Sequence, residues 1–238
     1  ANKTRFSRES WEACKQIDPG NVPCRMKLAE LYFTVGVYPE AIANAQEVLN
    51  IEPGNVDALI LIGISYRNQN KSKEAHRYSQ LALDEDPENM KALELQAFLY
   101  YTEKSPLAEN YFLKGLEVQP NNPDWYYNLG NYYKDQGELT AALKNFERCI
   151  ALNPKAHEAY YASGYVYLER EDIGTAMNLF KQCLDINRNY PQAYFALGYC
   201  YELKEDYPNA EANYRAALSL RPDFEAASEA VRRIQANR

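Results

Sequence analysis

Residues 124–154 read DWYYNLGNYYKDQGELTAALKNFERCIALNP, and the spacing inside this stretch decides the fold. Tyr126, Leu129, Gly130 and Tyr133 fall at i, i+3, i+4 and i+7, the period of one helical face rather than of a strand. Gly137 ends that helix, and Leu143, Phe146 and Ile150 form the apolar stripe of a second one. Pro154 closes the pair, because the residue before a proline is pushed out of the α region.

The same pattern recurs on both sides. Pro19, Pro53, Pro87, Pro120, Pro154 and Pro222, with Arg188 where a further proline would fall, are separated by steps of 34, 34, 33, 34, 34 and 34. Three more columns keep that register: Ala29, Gly63, Ala97, Gly130, Gly164, Gly198; Tyr32, Tyr66, Tyr100, Tyr133, Tyr167, Tyr201; and Ala41, Ala75, Ala108, Ala142, Ala176, Ala210. The small column has a physical reason: a side chain there would hold paired helices apart, at a cost of about 1–3 kcal/mol. Six units follow, 22–55, 56–89, 90–122, 123–156, 157–190 and 191–224. The third is one residue short in the turn at TEKSP, where Ser105 and Pro106 suit a cap and a first helical residue.

The aromatic-x₂-Leu-Gly-x₂-Tyr pattern, the Ala142-x₃-Phe146 pair and the closing Pro154 resemble the tetratricopeptide repeat, with Tyr126 for the usual Trp. The resemblance covers nearly the whole chain. It implies an all-α fold: a right-handed α-solenoid of tandem helix-turn-helix units, 1–238 forming one array whose first helices line a concave groove. Residues 1–21 match only the second helix of a unit, with Ser7, Trp11 and Cys14 in its Ala, Phe and Ala columns. Two readings of that end stand: a fragment of a longer array, or Phe6 and Trp11 covered by another subunit, which would make a homo-oligomer. Residues 225–238 read as a capping helix, apolar at Ala227, Ala230, Val231 and Ile234 and polar outside, as solenoids require.

Thirty-three acidic against 26 basic residues leave a net charge of −7, which argues against nucleic acid as a partner. No run of eighteen apolar residues occurs, so no direct membrane insertion is expected. Five cysteines without a CxxC pair suit reduced thiols and a cytoplasmic location better than a disulfide framework. The phosphate-binding, zinc-protease and serine-hydrolase signatures are missing, and no cofactor or metal is expected. His76 and His157 lie in different repeats, the latter as an exposed helix-start residue. Cys149 and Cys183 share a column with Ala82 and Ala217, which makes them small seam residues. Glu171/Asp172 and Glu205/Asp206 read as turn and cap residues rather than an acid/base pair. The expectation is a non-enzyme.

Once the core stripe is removed, each first helix keeps a second stripe at i, i+4 and i+7. It holds Tyr127, Asn131 and Lys134 in the fourth unit, Tyr161, Tyr165 and Leu168 in the fifth, and Phe195, Tyr199 and Glu202 in the sixth. Phe98 and Tyr101 join from the third unit, and Ile60, Ile64 and Arg67 from the second. A helix with one packed face should be polar on the other. Tyrosines there supply either inter-repeat packing or a recognition surface of stiff anchors beside hydrogen-bonding groups. The resemblance places this stripe in the groove, and the expected site is Ile64, Arg67, Phe98, Tyr101, Tyr127, Asn131, Lys134, Tyr161, Tyr165, Phe195 and Tyr199, holding a peptide or helical segment of a partner protein.

The carboxylate clamp of co-chaperone tetratricopeptide domains is not supported. Matched from Asn131, its other places hold Tyr127, Ala162, Gln192 and Ala196; matched from the second unit they hold Ile60, Ile64, Leu95, Asp124 and Asn128. A scaffold or adaptor is therefore expected, the alternatives being the recognition array of a larger, glycosyltransferase-like enzyme or a self-assembling scaffold.

Overall fold

The computed structural model describes residues 2–236, with side chains from Ser10 onward; Phe6 and Ser7 lie outside the described side chains. Fourteen helices and no strand occur among the described residues. They are α1 (Asn2–Ile17), α2 (Val22–Thr34), α3 (Tyr38–Ile51), α4 (Val56–Asn68), α5 (Ser72–Glu85), α6 (Met90–Thr102) and α7 (Leu107–Val118) in a unit spanning 1–120. The unit spanning 121–238 holds α8 (Pro123–Asp135), α9 (Leu139–Leu152), α10 (His157–Glu169), α11 (Ile173–Ile186), α12 (Pro191–Leu203), α13 (Tyr207–Leu220) and α14 (Glu225–Ala236). Within each unit every helix packs on the next in sequence, most extensively in the pairs α2/α3, α4/α5, α6/α7, α8/α9, α10/α11 and α12/α13.

Capping explains where the first helices start. Asn21, Asn55 and Asn89 accept the N–H groups of Cys24, Ala58 and Ala92, and Asn122 accepts that of Asp124. These side chains satisfy amides that a helix start would leave orphaned. Ala156 and Tyr190 stand at the equivalent places before α10 and α12 and make no such bond. Asp172 and Asp206 cap α11 and α13 through the Thr175 and Asn209 N–H groups. The Thr175 bonds hold the Asp172 carboxyl below its ordinary range.

The closing turns keep one geometry with or without proline. Glu52, Asp86, Gln119, Asn153, Asn187 and Arg221 follow the second helices with φ between −127° and −138°. Asn187 adopts it although Arg188 follows, so packing of the next helix, not the pyrrolidine ring, sets the bend. At the shortened turn Ser105 Oγ accepts the Leu107 N–H at 3.3 Å, and Pro106 lies just outside α7 rather than inside its first turn.

The turn inside each pair is equally uniform. Gly36, Asn70, Lys104, Gly137, Glu171 and Glu205 all have positive φ, between 56° and 78°. Only two are glycine, and a side chain in the left-handed region costs about 1–2 kcal/mol. Replacing Glu171 or Glu205 by Gly should raise stability by about 0.5–1 kcal/mol each. Urea denaturation checks this, and a loss of stability in both variants would contradict it.

In the 121–238 unit the seam inside each pair is aromatic against glycine. Phe146, Phe180 and Tyr214 are fully buried on α9, α11 and α13. A Cβ at Gly130 or Gly164 would lie 2.6 Å from the Phe146 or Phe180 ring, and one at Gly198 2.9 Å from that of Tyr214. Trp125 and Tyr132 are also buried, while Tyr126 and Tyr133 of the repeat pattern are only half-buried. On α14, Ala227, Ala230 and Ile234 are buried, and Val231 packs on the cluster of Ala210 and Tyr214.

The expectation of five reduced thiols needs correction. Cys14 and Cys24 form a disulfide between α1 and α2, their Cα atoms 6.2 Å apart. Spacing alone could not pair them. Beside it, Arg25 donates to Pro19 O and pairs with Glu47, and Lys15 reaches Glu47 at 2.6 Å. Burial, followed by the Arg25 charge, lowers the Lys15 pKa. Cys149, Cys183 and Cys200 are free and buried, and burial pushes their thiols up to about 11, 12 and 11.

Candidate functional site

The first helices of each unit carry the tyrosine stripe, and its residues divide by what lies beneath them. In the 121–238 unit Tyr161 and Tyr165 stand one turn apart on α10, ring centroids 4.9 Å apart and edge-on. Both rest on Phe180, at 5.8 and 5.6 Å. Burial, reinforced by the neighbouring Tyr165, raises the Tyr161 pKa far above that of free tyrosine. Tyr190, just before α12, meets Tyr161 edge-on at 5.1 Å and is pushed up to about 12, chiefly by burial. Tyr127 on α8 leans on Phe146 at 6.0 Å, and burial raises it too. These rings are half-buried shoulders of the seam as well as surface.

Tyr199 differs. It is 41% exposed on α12, one turn beyond Phe195, which is wedged between Tyr214 and Phe224 at 5.3 and 5.0 Å. The polar members are locally engaged: Asn131 Nδ2 donates to Tyr127 O at 3.2 Å, and Lys134 Nζ lies 3.5 Å from Asp135. In the 1–120 unit, Ile64 packs against Leu95, Leu99 and Ala75, and Phe98 and Tyr101 both meet Phe112 edge-on. Arg67 is exposed and Ile60 is buried.

Glu202 closes the stripe. Arg233 on α14 donates Nε to Oε1 at 2.9 Å and Nη2 to Oε2 at 2.8 Å, and the Tyr214 hydroxyl donates to Oε2 at 2.6 Å. This fork ties the last helix to α12.

Both histidines are engaged in structural contacts. His76 bonds Gln96 at 2.7 Å and Glu103 at 3.2 Å, its ring 4.4 Å from that of Tyr100. His157 is not simply exposed, as the sequence suggested. Asn187 Nδ2 donates to its Nε2 at 2.9 Å, which leaves Nδ1–H to donate to Glu158 at 3.0 Å, with the ring edge-on to Tyr190. Neither this site nor Tyr190 was anticipated; Tyr190 occupies the place of the capping asparagines, a column legible in the register. Among the described residues no group of His, Cys, Asp and Glu is arranged to hold a metal, and no helix is long and apolar enough to cross a membrane.

The tetratricopeptide repeat profile matches residues 123–156, 157–190 and 191–224, the same bounds the register gives. Comparison with curated protein sequences gives no significant match. Among solved structures, the chain is similar to the APC/C hetero-tetramer Cut9–Hcn1 at 16% identity and TM-score 0.75, covering 98% of this chain but only 46% of that one. It is similar to Pseudomonas aeruginosa pilF at 16% identity and TM-score 0.74, covering 99% and 100% of the two chains. MamA matches at 27% identity and TM-score 0.60, over 67% of this chain and 94% of its own.

Proposed function

We propose, from the premise that this chain is a tetratricopeptide repeat protein, that the first-helix face of residues 121–238 holds a peptide segment of a partner protein. The fold is generally a protein-interaction scaffold. The observation that carries the finer reading is the tyrosine stripe itself, which reaches an exposed anchor at Tyr199. A stiff aromatic side chain supplies contact area at little entropic cost, which is what interface anchors use. In this reading Tyr127, Tyr161, Tyr165 and Phe195 form the floor and Tyr199 the anchor, with Asn131 and Lys134 at its edge. Ile64, Arg67, Phe98 and Tyr101 carry the corresponding role in the 1–120 unit.

The chain acts as an adaptor without catalysis of its own, its histidines serving structural contacts. A cytoplasmic location draws on the three buried thiols, whereas the Cys14–Cys24 bond points to an oxidising setting.

Tyr199→Ala is the discriminating variant. It should leave stability within about 0.5 kcal/mol, because Tyr199 is an exposed residue of the stripe, while partner capture by the immobilised chain falls sharply. An unchanged partner set would refute the reading. Tyr161→Ala with Tyr165→Ala is the weaker test, since both rings lean on Phe180 and their loss will also cost stability.

A further inference from the structure

One face of α10 carries Glu158, Tyr161, Tyr165 and Glu169, at i, i+3, i+7 and i+11, so two carboxylates bracket the tyrosine pair. Glu158 and Glu169 are both exposed. α8 repeats the arrangement, with Asp124, Tyr127, Asn131 and Asp135 at the same intervals. The Glu158 carboxylate accepts the His157 Nδ1–H at 3.0 Å, and that imidazole stands edge-on to Tyr190 at 5.1 Å, so its charge lies beside the aromatic cluster. Folding explains only part of this pattern. Glu158 and Asp124 sit in first turns, where the helix dipole favours an anion. Glu169 is the final residue of α10, where the dipole disfavours an anion, and the guanidinium of the Arg170 that follows is bonded to Thr140 of α9 at 2.7 Å. An acid kept at the unfavourable end beside an aromatic face has a rationale if it meets a cation from outside.

We propose that this face selects a basic segment: an extended peptide that lays an arginine or lysine side chain against the Tyr161/Tyr165 pair, its charge between Glu158 and Glu169. Ring faces attract a cation through their quadrupole, and flanking carboxylates supply complementary charge. The chain's own excess of acidic residues acts in the same direction at long range. The inference rests on the peptide-binding reading above and adds the chemistry of the occupant.

The test uses the full chain and fluorescein-labelled nonapeptide libraries, randomised at seven positions, with two fixed arginines, two citrullines or two glutamates. Fluorescence anisotropy should show the arginine library binding at least about tenfold more tightly than its neutral citrulline twin, with the gap shrinking as salt is raised. The Glu158→Gln, Glu169→Gln double variant should lose most of that gap while remaining folded, with only a small shift in melting temperature from the lost first-turn charge. Equal binding of arginine and citrulline libraries, or binding of neither, overturns the proposal, as does a preference that survives in the double variant. If both libraries bind equally and Tyr199→Ala weakens both, basic selectivity falls and the peptide face stands. An arginine preference indifferent to Tyr199, Glu158 and Glu169 refutes both.

Discussion

Phe180→Ala should lower stability by about 3–5 kcal/mol in urea denaturation, the range for truncating a buried phenylalanine. The ring is fully buried and fills the space that Gly164 leaves open, where a Cβ would come within 2.6 Å of it. It also carries Tyr161 and Tyr165 from below. Truncation therefore removes the support of the proposed site together with the seam, and the near-UV tyrosine signal should change with the midpoint. A loss under about 1 kcal/mol would mean that the seam collapses into the cavity without penalty, contrary to a close-packed interior.

Glu202→Ala should cost about 1–3 kcal/mol, mostly because the buried Tyr214 hydroxyl loses its acceptor. Arg233 is half in solvent, so its share is screened. The effect depends on pH with a definite sign. Hydrogen bonds from Arg233, joined by Tyr214, hold the Glu202 carboxyl below the ordinary glutamate range. A carboxyl depressed in the folded state stabilises fully above its unfolded value and loses that contribution as the pH falls through the folded one. The difference in melting temperature between parent and variant should thus be constant near neutrality and narrow below about pH 4.3. A difference that widens in acid would refute the assignment.

The helix pairs were legible because their cause is local. In the last three repeats the glycine column faces a large aromatic of the next helix, so the pairing is written as a size alternation at fixed steps, and Gly164 with Phe180 is its physical content. Trp125 and Tyr132 escaped notice because each is an outsized member of a column otherwise held by smaller residues such as Ala159 or Val166. The left-handed turns at Lys104, Glu171 and Glu205 carry no residue-type signal; only their register with Gly36, Asn70 and Gly137 betrays them. For the candidate site the stripe was legible but its depth was not. Whether Tyr161 rests on a neighbour or stands in solvent depends on Phe180, 19 positions away on another helix.

The uniform turns make the protein a ready-made molecular ruler. Residues 171 and 205 are exposed, share one backbone geometry and lie one repeat apart in the 121–238 unit. The native free thiols are buried and held protonated, and the remaining two are bonded to each other. Cysteines introduced at 171 and 205 would accept spin labels or dyes selectively, and their separation would report directly whether an occupant stretches or compresses the array.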